Sequence, residues 1–354
     1  MKIVKYIFIV FVVSILLVTL SESCKKDSGT QQNYNADKTR LKELIDSLTN
    51  VYNTTTEGTK PGNYAVGSRA ALDSVINLGN QVYNANTYTQ QEVNNSSYNL
   101  TVAGVTFQNN LIEQVASTNL IAFWQFNGNA IDSSGNGHDG ILQTNYIGKA
   151  GAPVDGGTLP QLANDRFGRA NMAYHFTKGA TIEVPYSGAF VPQSLTITAW
   201  IKMDSNVNCA NYFFSLNRWN TFKFNIQCDN FLLFTAHTTT SYFDKDDNPG
   251  TVTPGQWVHV AVSYSSGLEK FYINGVLTKT WTDVTGTLVP PSPVMNLTIG
   301  NEMPKSVYNA SNTADPNYFW GSDAFWGSID EVRFYNAQLT DGQVLSIYTI
   351  ESTP

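Results

Sequence analysis

Charge is scarce in this chain. Of its 354 residues only 14% are Asp, Glu, Lys or Arg, and 21 basic residues stand against 28 acidic ones. The net charge of −7 comes without any basic run, which excludes the cationic footprint that binding to nucleic acid requires. Histidine is rarer still. The four are far apart in sequence, and none forms a visible nucleophile–base pairing. One of them, His259, lies in a strand-like stretch and reads as a packed core residue. Cysteine occurs only three times, too few for a densely cross-linked scaffold. Past residue 20 no apolar run is long enough to cross a bilayer, which takes about 20 residues.

What remains is a polar, uncharged chain with 42% hydrophobic residues, long enough for two domains or more. Lys2 and Lys5 precede an apolar stretch from Tyr6 to Leu20, shorter than an ordinary membrane span. Ser21, Glu22 and Ser23 then lead to Cys24. Residues 1–23 carry Lys2, Lys5 and Glu22, a net +1, so the remaining chain stands at −8. The segment resembles a bacterial lipoprotein signal with Cys24 as the acylated residue. Leu20 is one place early for that pattern and Glu22 is unusual in it, so plain secretion with a free Cys24 is the alternative. The resemblance implies a lipid anchor in the membrane and a place in the cell envelope of a Gram-negative bacterium, at the outer membrane or cell surface. Residues 24–36 are polar and read as a flexible tether.

Residues 37–115 read as three helices. Leu41, Leu44, Ile45, Leu48, Val51 and Tyr52 recur at helical spacing, as do Leu72, Val75, Ile76, Val82 and Tyr83. The third helix opens on Thr89-Gln-Gln-Glu92, in which the Thr and Glu side chains can each take the other's free backbone N–H. These pieces resemble the FIVAR-type three-helix repeat of bacterial cell-surface proteins and imply a spacer.

From residue 119 the pattern changes to short alternating strands. The pieces F-W-Q-F-N-G-N-A-I-D-S-S-G-N-G-H-D-G, D-R-F-G-R-A-N-M-A-Y-H-F, L-T-I-T-A-W-I-K, P-G-Q-W-V-H-V-A-V-S-Y, F-Y-I-N-G-V-L and G-S-I-D-E-V-R-F-Y occur in that order. Together they resemble a laminin-G-like, concanavalin A-like jelly roll over residues 119–350, which implies a mainly β, two-sheet antiparallel sandwich. Cys209 and Cys228 flank the strand-like stretches Tyr212–Leu216 and Thr221–Ile226, and either a disulfide or two buried thiols fits there. Gln143–Gly168 and Asn301–Phe325 read as long loops that the sandwich does not need. Loops of that length are often functional.

Three groups of residues carry possible chemistry. Asp132-x-Ser134-x-Asn136-Gly137 offers oxygens at alternate positions and a Gly for a sharp turn. On simple alternation, Asp330 shares a strand face with Val332 and Phe334. The expectation is a structural calcium held by Asp132, Asn136, the His138 carbonyl and Asp330, clasping the first and last strands; the family resemblance implies such an ion. The alternative is an Asp132 that caps its own turn. Second, Asp244-Lys-Asp246-Asp247-Asn248-Pro-Gly250 has alternate oxygens but Pro249 where calcium loops want Gly, and reads as a solvated hairpin loop. Third, Tyr308, Tyr318, Trp320 and Asp323, with Trp219, could form a sugar platform, or could pack down on the sandwich instead.

The leading functional expectation is carbohydrate binding or adhesion, with a glycan or a host or cell-surface glycoprotein as partner. Glucanases on the resembled fold carry Glu-x-Asp-x-x-Glu, and no glutamate here is followed by Asp two residues on. A glycoside hydrolase with another carboxylate pair and a protein-binding adhesion module are the alternatives. Glu183, Glu269, Glu302 and Glu331 are the glutamates available to such a pair.

Overall fold

A computed structural model describes residues 33–205, 209–321 and 324–354. Cys24, expected to carry the lipid, and Asp323, expected in the sugar platform, lie outside the described residues. Helices α1 (Thr39–Thr54), α2 (Ser68–Asn84) and α3 (Gln90–Gln108) occupy the N-terminal region. No helix among the described residues is long and apolar enough to cross a membrane.

The chain divides into two compact units. The first contains the residues up to Asn50 together with Asp73–Val102. Its apolar stripe, Leu41, Ile45, Leu48, Ile76, Val93 and Leu100, is buried. Gly79 allows the close approach, since a Cβ there would meet Leu100 at 3.0 Å and Ile45 at 3.3 Å. The Thr89–Glu92 box is reciprocal, with Thr89 N–H donating to Glu92 Oε2 at 2.7 Å and Glu92 N–H to Thr89 Oγ1 at 3.3 Å.

The second unit contains Val51–Leu72 and Ala103–Pro354. Its strands are β1 (Leu120–Trp124), β2 (Ile141–Thr144), β3 (Ile147–Lys149), β4 (Ala152–Val154), β5 (Gln161–Ala163), β6 (Ala173–Phe176), β7 (Ala180–Val184) and β8 (Leu195–Met203). They continue as β9 (Ala210–Leu216), β10 (Phe222–Gln227), β11 (Leu232–His237), β12 (Tyr242–Asp246), β13 (Val258–Ser265), β14 (Leu268–Ile273), β15 (Val276–Trp281), β16 (Leu297–Ile299) and β17 (Gly327–Tyr335). Helix α4 (Asp341–Glu351) follows, opened by the Thr340–Gln343 capping box.

Two antiparallel sheets face one another. One runs β12-β11-β10-β9-β16-β7-β2; the other runs β15-β14-β13-β8-β17-β6-β5, with β1 also on β17. Three short strands fall inside the stretch expected as the Gln143–Gly168 loop, and β5 closes a sheet edge. Strands of three residues are too short to show period 2 in the sequence. The Asp244 stretch differs likewise: Tyr242–Asp246 is the edge strand β12.

Between the sheets lies an aromatic core. Phe334 of β17 meets Phe190 at 6.1 Å, Phe214 at 5.5 Å and Phe222 at 5.9 Å between ring centroids, joining one sheet to the other. A fully buried Phe is stabilising by about 1.5–3 kcal/mol. β17 is not a plain strand. Glu331 has φ 50°, and the pairing with β8 shifts between Asp330 and Arg333. This bulge resets the alternation. Ile329, Val332 and Phe334 belong to the core, while Asp330 pairs with Trp200 and lies on the outer face of the sheet. The expected sharing of one face by Asp330, Val332 and Phe334 is therefore corrected.

Cys209 and Cys228 form a disulfide spanning 19 residues of sequence. Closing a loop of that size removes unfolded-state entropy worth about 3 kcal/mol. Changing both cysteines to Ala is expected to lower the unfolding free energy by about that amount. Denaturant melts of the oxidised protein and the double variant, compared at equal m-value, measure it.

Candidate functional site

The Asp132 loop is closed by its own backbone. Asp132 Oδ1 accepts the N–H groups of Phe123 at 2.9 Å and Ser134 at 2.8 Å; Oδ2 accepts Ser134 Oγ–H at 2.8 Å and His138 N–H at 3.0 Å. The residue is only 6% exposed. Burial works against its charge, but these donors outweigh burial and hold the carboxyl below its ordinary value. Asn136 Nδ2 donates to the carbonyls of Leu120 and Ile121, and the His138 carbonyl takes Trp124 Nε1–H at 2.8 Å.

Asp330 belongs to a different network. Arg166 Nη1 donates to its Oδ2 at 2.7 Å, and Arg166 also holds the Glu351 carbonyl at the end of α4. Burial, then the Glu331 carboxylate, push Asp330 up to about 8, against the pull of Arg166. Oδ2 accepts from the guanidinium in either protonation state, so the contact does not depend on the charge. Arg333 joins Glu351 at 2.6 Å and Glu331 at 3.7 Å. His259 is fully buried between Trp200 and Tyr348, and burial depresses it to about 3.

A single calcium does not fit between these two carboxylates. Trp124 of β1 bridges Asp132 on one edge and Val332 of β17 on the other, so β1 stands between the loop and β17. Both carboxylates are also already engaged, Asp132 by four hydrogen-bond donors and Asp330 Oδ2 by Arg166. The bulge adds to the separation by turning Asp330 to the outer face. Among the described residues no group of three or more His, Cys, Asp or Glu side chains could hold a metal ion.

The platform residues do come together. Between β16 and β17, residues 301–321 run over the seven-stranded sheet: Ser215 Oγ of β9 donates to the Glu302 carbonyl at 2.8 Å, and Thr298 Oγ1 to that of Asn301 at 2.8 Å. Arg218, fully buried after β9, organises the group. Its Nη2 pairs with Glu302, and its Nη1 donates to the Tyr318 carbonyl at 2.8 Å. The guanidinium lies 5.0 Å from the Trp219 ring and 5.4 Å from that of Tyr308. Burial opposes its charge, but Glu302 and then Tyr308 outweigh burial and raise its pKa. Lys223 continues the alternation between the rings of Trp219 at 5.6 Å and Tyr212 at 5.3 Å.

Not every expected aromatic is available to a ligand. Tyr308 packs edge-on to Phe319 at 5.1 Å, beside Tyr146, and its hydroxyl donates to Glu302 at 2.8 Å. Tyr318 is buried. Trp320, edge-on to Tyr318 at 4.8 Å, stays 48% exposed, and Trp219 is half-buried. Nearby strand and loop amides lack partners: both side-chain atoms of Asn225, Nδ2 of Asn217 and Oδ1 of Asn317. Sequence reasoning missed Arg218, Glu302 and Asn225 as members of this group. The only local hint was the Arg218-Trp219 neighbour pair.

Of the other glutamates, Glu183 accepts from Asn296 Nδ2 at 3.0 Å, and Glu269 is buried, its carboxyl pushed well up by desolvation.

Residues 176–345 match the family model of the concanavalin A-like lectin/glucanases superfamily. The sandwich is a concanavalin A-like domain. Among solved structures, domain 4 of AbnA, a GH43 extracellular arabinanase from Geobacillus stearothermophilus in complex with arabinotriose, is similar at 23% identity and a TM-score of 0.46. That match covers 65% of this chain and 98% of that domain. The binding domain of Paraclostridial Mosquitocidal Protein 1 is similar at 13% identity and a TM-score of 0.46, over 66% of this chain and 52% of that one. A botulinum neurotoxin type C structure, from a toxin whose cell entry depends on two ganglioside molecules, has 17% identity and a TM-score of 0.42, over 66% and 51%. This chain thus spans about half of either toxin domain. No curated protein sequence matches it.

Asp132→Asn removes the charge to which four hydrogen bonds point. It is expected to lower stability by about 1–3 kcal/mol at neutral pH. The folded carboxyl titrates below its unfolded value. Its contribution is therefore intact above about pH 4 and fades as pH falls through the folded value. Melting curves between pH 7 and 3 should show wild type and variant converging at the acid end.

Proposed function

We propose that this protein binds carbohydrate through the outer face of the seven-stranded sheet, at a rim formed by Trp219 and Trp320. One observation carries the reading: the same buried guanidinium holds both indoles. Arg218 lies over Trp219 and bonds the carbonyl of Tyr318, on whose ring Trp320 rests. Rigid, partly uncovered aromatic faces are ready for the apolar face of a sugar ring, and little entropy is lost when they bind. Glu302 and Tyr308 serve the scaffold. The carboxylate is buried and committed to Arg218, so it is not placed as an acid or nucleophile.

The test is a glycan-array screen of the purified protein, followed by calorimetry with whatever glycan is captured. Trp320→Ala and Trp219→Ala should each weaken binding about tenfold or more, the loss of about 1.4 kcal/mol expected at least of an aromatic anchor. New reducing ends released at enzyme-like rates would favour a hydrolase, and an array without any captured glycan would remove the reading.

The proposal includes a lipid at Cys24 that holds the protein at the envelope membrane, with the N-terminal helices as spacer. Cys24→Ala should then move the protein to the soluble fraction or leave its signal uncleaved. A mature variant that remains membrane-bound would reject the anchor.

A further inference from the structure

The Asp244–Gly250 stretch, which reads in sequence as a solvated loop, contains a carboxylate with nowhere to go. Asp247 follows directly on β12 and is 1% exposed. Neither of its carboxylate oxygens has a hydrogen-bond partner. Four residues on, Thr251 Oγ1 is also buried and also without a partner. The backbone around them is fastened down. Asp247 N–H donates to the Leu232 carbonyl at 2.9 Å, Gly250 N–H to that of Asp229 at 2.7 Å, and Val252 N–H to that of Asn230 at 3.0 Å. Asn248 Nδ2 donates to the Thr278 carbonyl at 3.2 Å. Asp247 therefore cannot reach water without breaking several of these bonds.

An ionised carboxylate in such a place needs a positive partner, because burying it alone is among the costliest arrangements a protein can hold. Two lysines lie over the neighbouring Trp281 ring, Lys245 at 4.5 Å and Lys279 at 5.0 Å; Lys245 is committed to Asp283 at 2.6 Å, and neither is hydrogen-bonded to Asp247. The free groups are a carboxylate and a hydroxyl on one short loop, and among the described residues no group of three or more His, Cys, Asp or Glu side chains includes Asp247. An all-oxygen set completed by carbonyls and water suits calcium, which accepts mixed oxygen ligands in irregular geometry, and not zinc, which prefers nitrogen and sulfur.

We propose that Asp247 anchors a calcium site, closed by Thr251 Oγ1 and carbonyl oxygens of the same loop. The ion fixes the 247–252 loop onto the turn at Asp229 and Asn230, next to the Cys209–Cys228 bridge. This site is separate from the Trp219–Trp320 rim and does not depend on what that rim binds.

Terbium, which substitutes for calcium, gives a direct readout. Trp281 Nε1 donates to the Asp246 carbonyl at 2.9 Å, so its indole lies one residue from the proposed ligand and can sensitise terbium emission. The full-length mature protein, stripped with chelator, should bind one equivalent of terbium with sensitised emission, and calcium should displace it. Calcium should also raise its melting temperature. Asp247→Asn should weaken terbium binding at least tenfold and abolish the calcium-dependent rise. Thr251→Val, which keeps the shape, should weaken binding several-fold. Asp132→Asn and Asp330→Asn should leave the calcium response unchanged. Wild-type protein that binds neither ion saturably would overturn the proposal. So would binding that survives Asp247→Asn and Thr251→Val undiminished.

Discussion

One backbone irregularity decides how the second unit is assembled. β17 lies inside its sheet, flanked by β8 along one edge and by β6 and then β1 along the other. Its sequence mixes Ile329, Val332 and Phe334 with Asp330, Glu331 and Arg333, and strict alternation cannot sort these onto two faces. The positive φ at Glu331 inserts the extra residue that does so. The apolar three then fill the core, and the charged residues gather with Arg166 and Glu351. The final helix is thereby tied to the sheet by Arg166 on the Glu351 carbonyl, Arg333 on the Glu351 carboxylate and Trp200 Nε1 on its other oxygen. A non-glycine residue in that conformation is strained, and it persists because both faces over-determine it.

Buried charge is handled in the same way on the other sheet. Arg218 has no exposure, so its charge must be matched in place. Glu302 and the carbonyl of Tyr318 do this, both from the segment between β16 and β17. Breaking either contact would strand a buried ion, which pins Glu302 and Tyr318 to Arg218. The two stretches that read as dispensable loops meet here, through Tyr146 against Tyr308 and Phe319. The candidate aromatics thus divide into structural rings, Tyr308 and Tyr318, and partly uncovered rings, Trp320 of the second stretch and Trp219 between β9 and β10. Composition alone could not separate the two kinds.

The N-terminal boundary has a similar cause. The helical pattern suggests that everything before residue 116 stands apart. Yet Val51–Leu72 and the segment from Ala103 group with the sandwich unit. Tyr64 stacks on Phe107 at 4.1 Å, Glu113 N–H donates to Ser346 Oγ at 2.8 Å, and Thr340 Oγ1 donates to Glu113 at 2.8 Å. Such polar tethers between residues more than 200 apart leave no local pattern.

Much of the fold was legible because it rests on local rules. Alternation marked the strand-like pieces ending A-Y-H-F, L-T-I-T-A-W-I-K and V-H-V-A-V-S-Y, which form β6, β8 and β13. Thr89–Glu92 announced a helix start. The short β3, β4 and β5 were not legible, since three residues show no period. The sites were legible only in part. Sequence named Asp132, Trp219 and Trp320, but it paired Asp132 with Asp330 and left Asp247 to the solvent. Pairing and burial are properties of the space between elements. Which strand intervenes, where a bulge flips a face and which loop closes over a carboxylate depend on register and packing. Residue type and spacing settled the secondary structure and the class of sandwich; only the tertiary structure decided which polar groups meet and which are left buried without a partner.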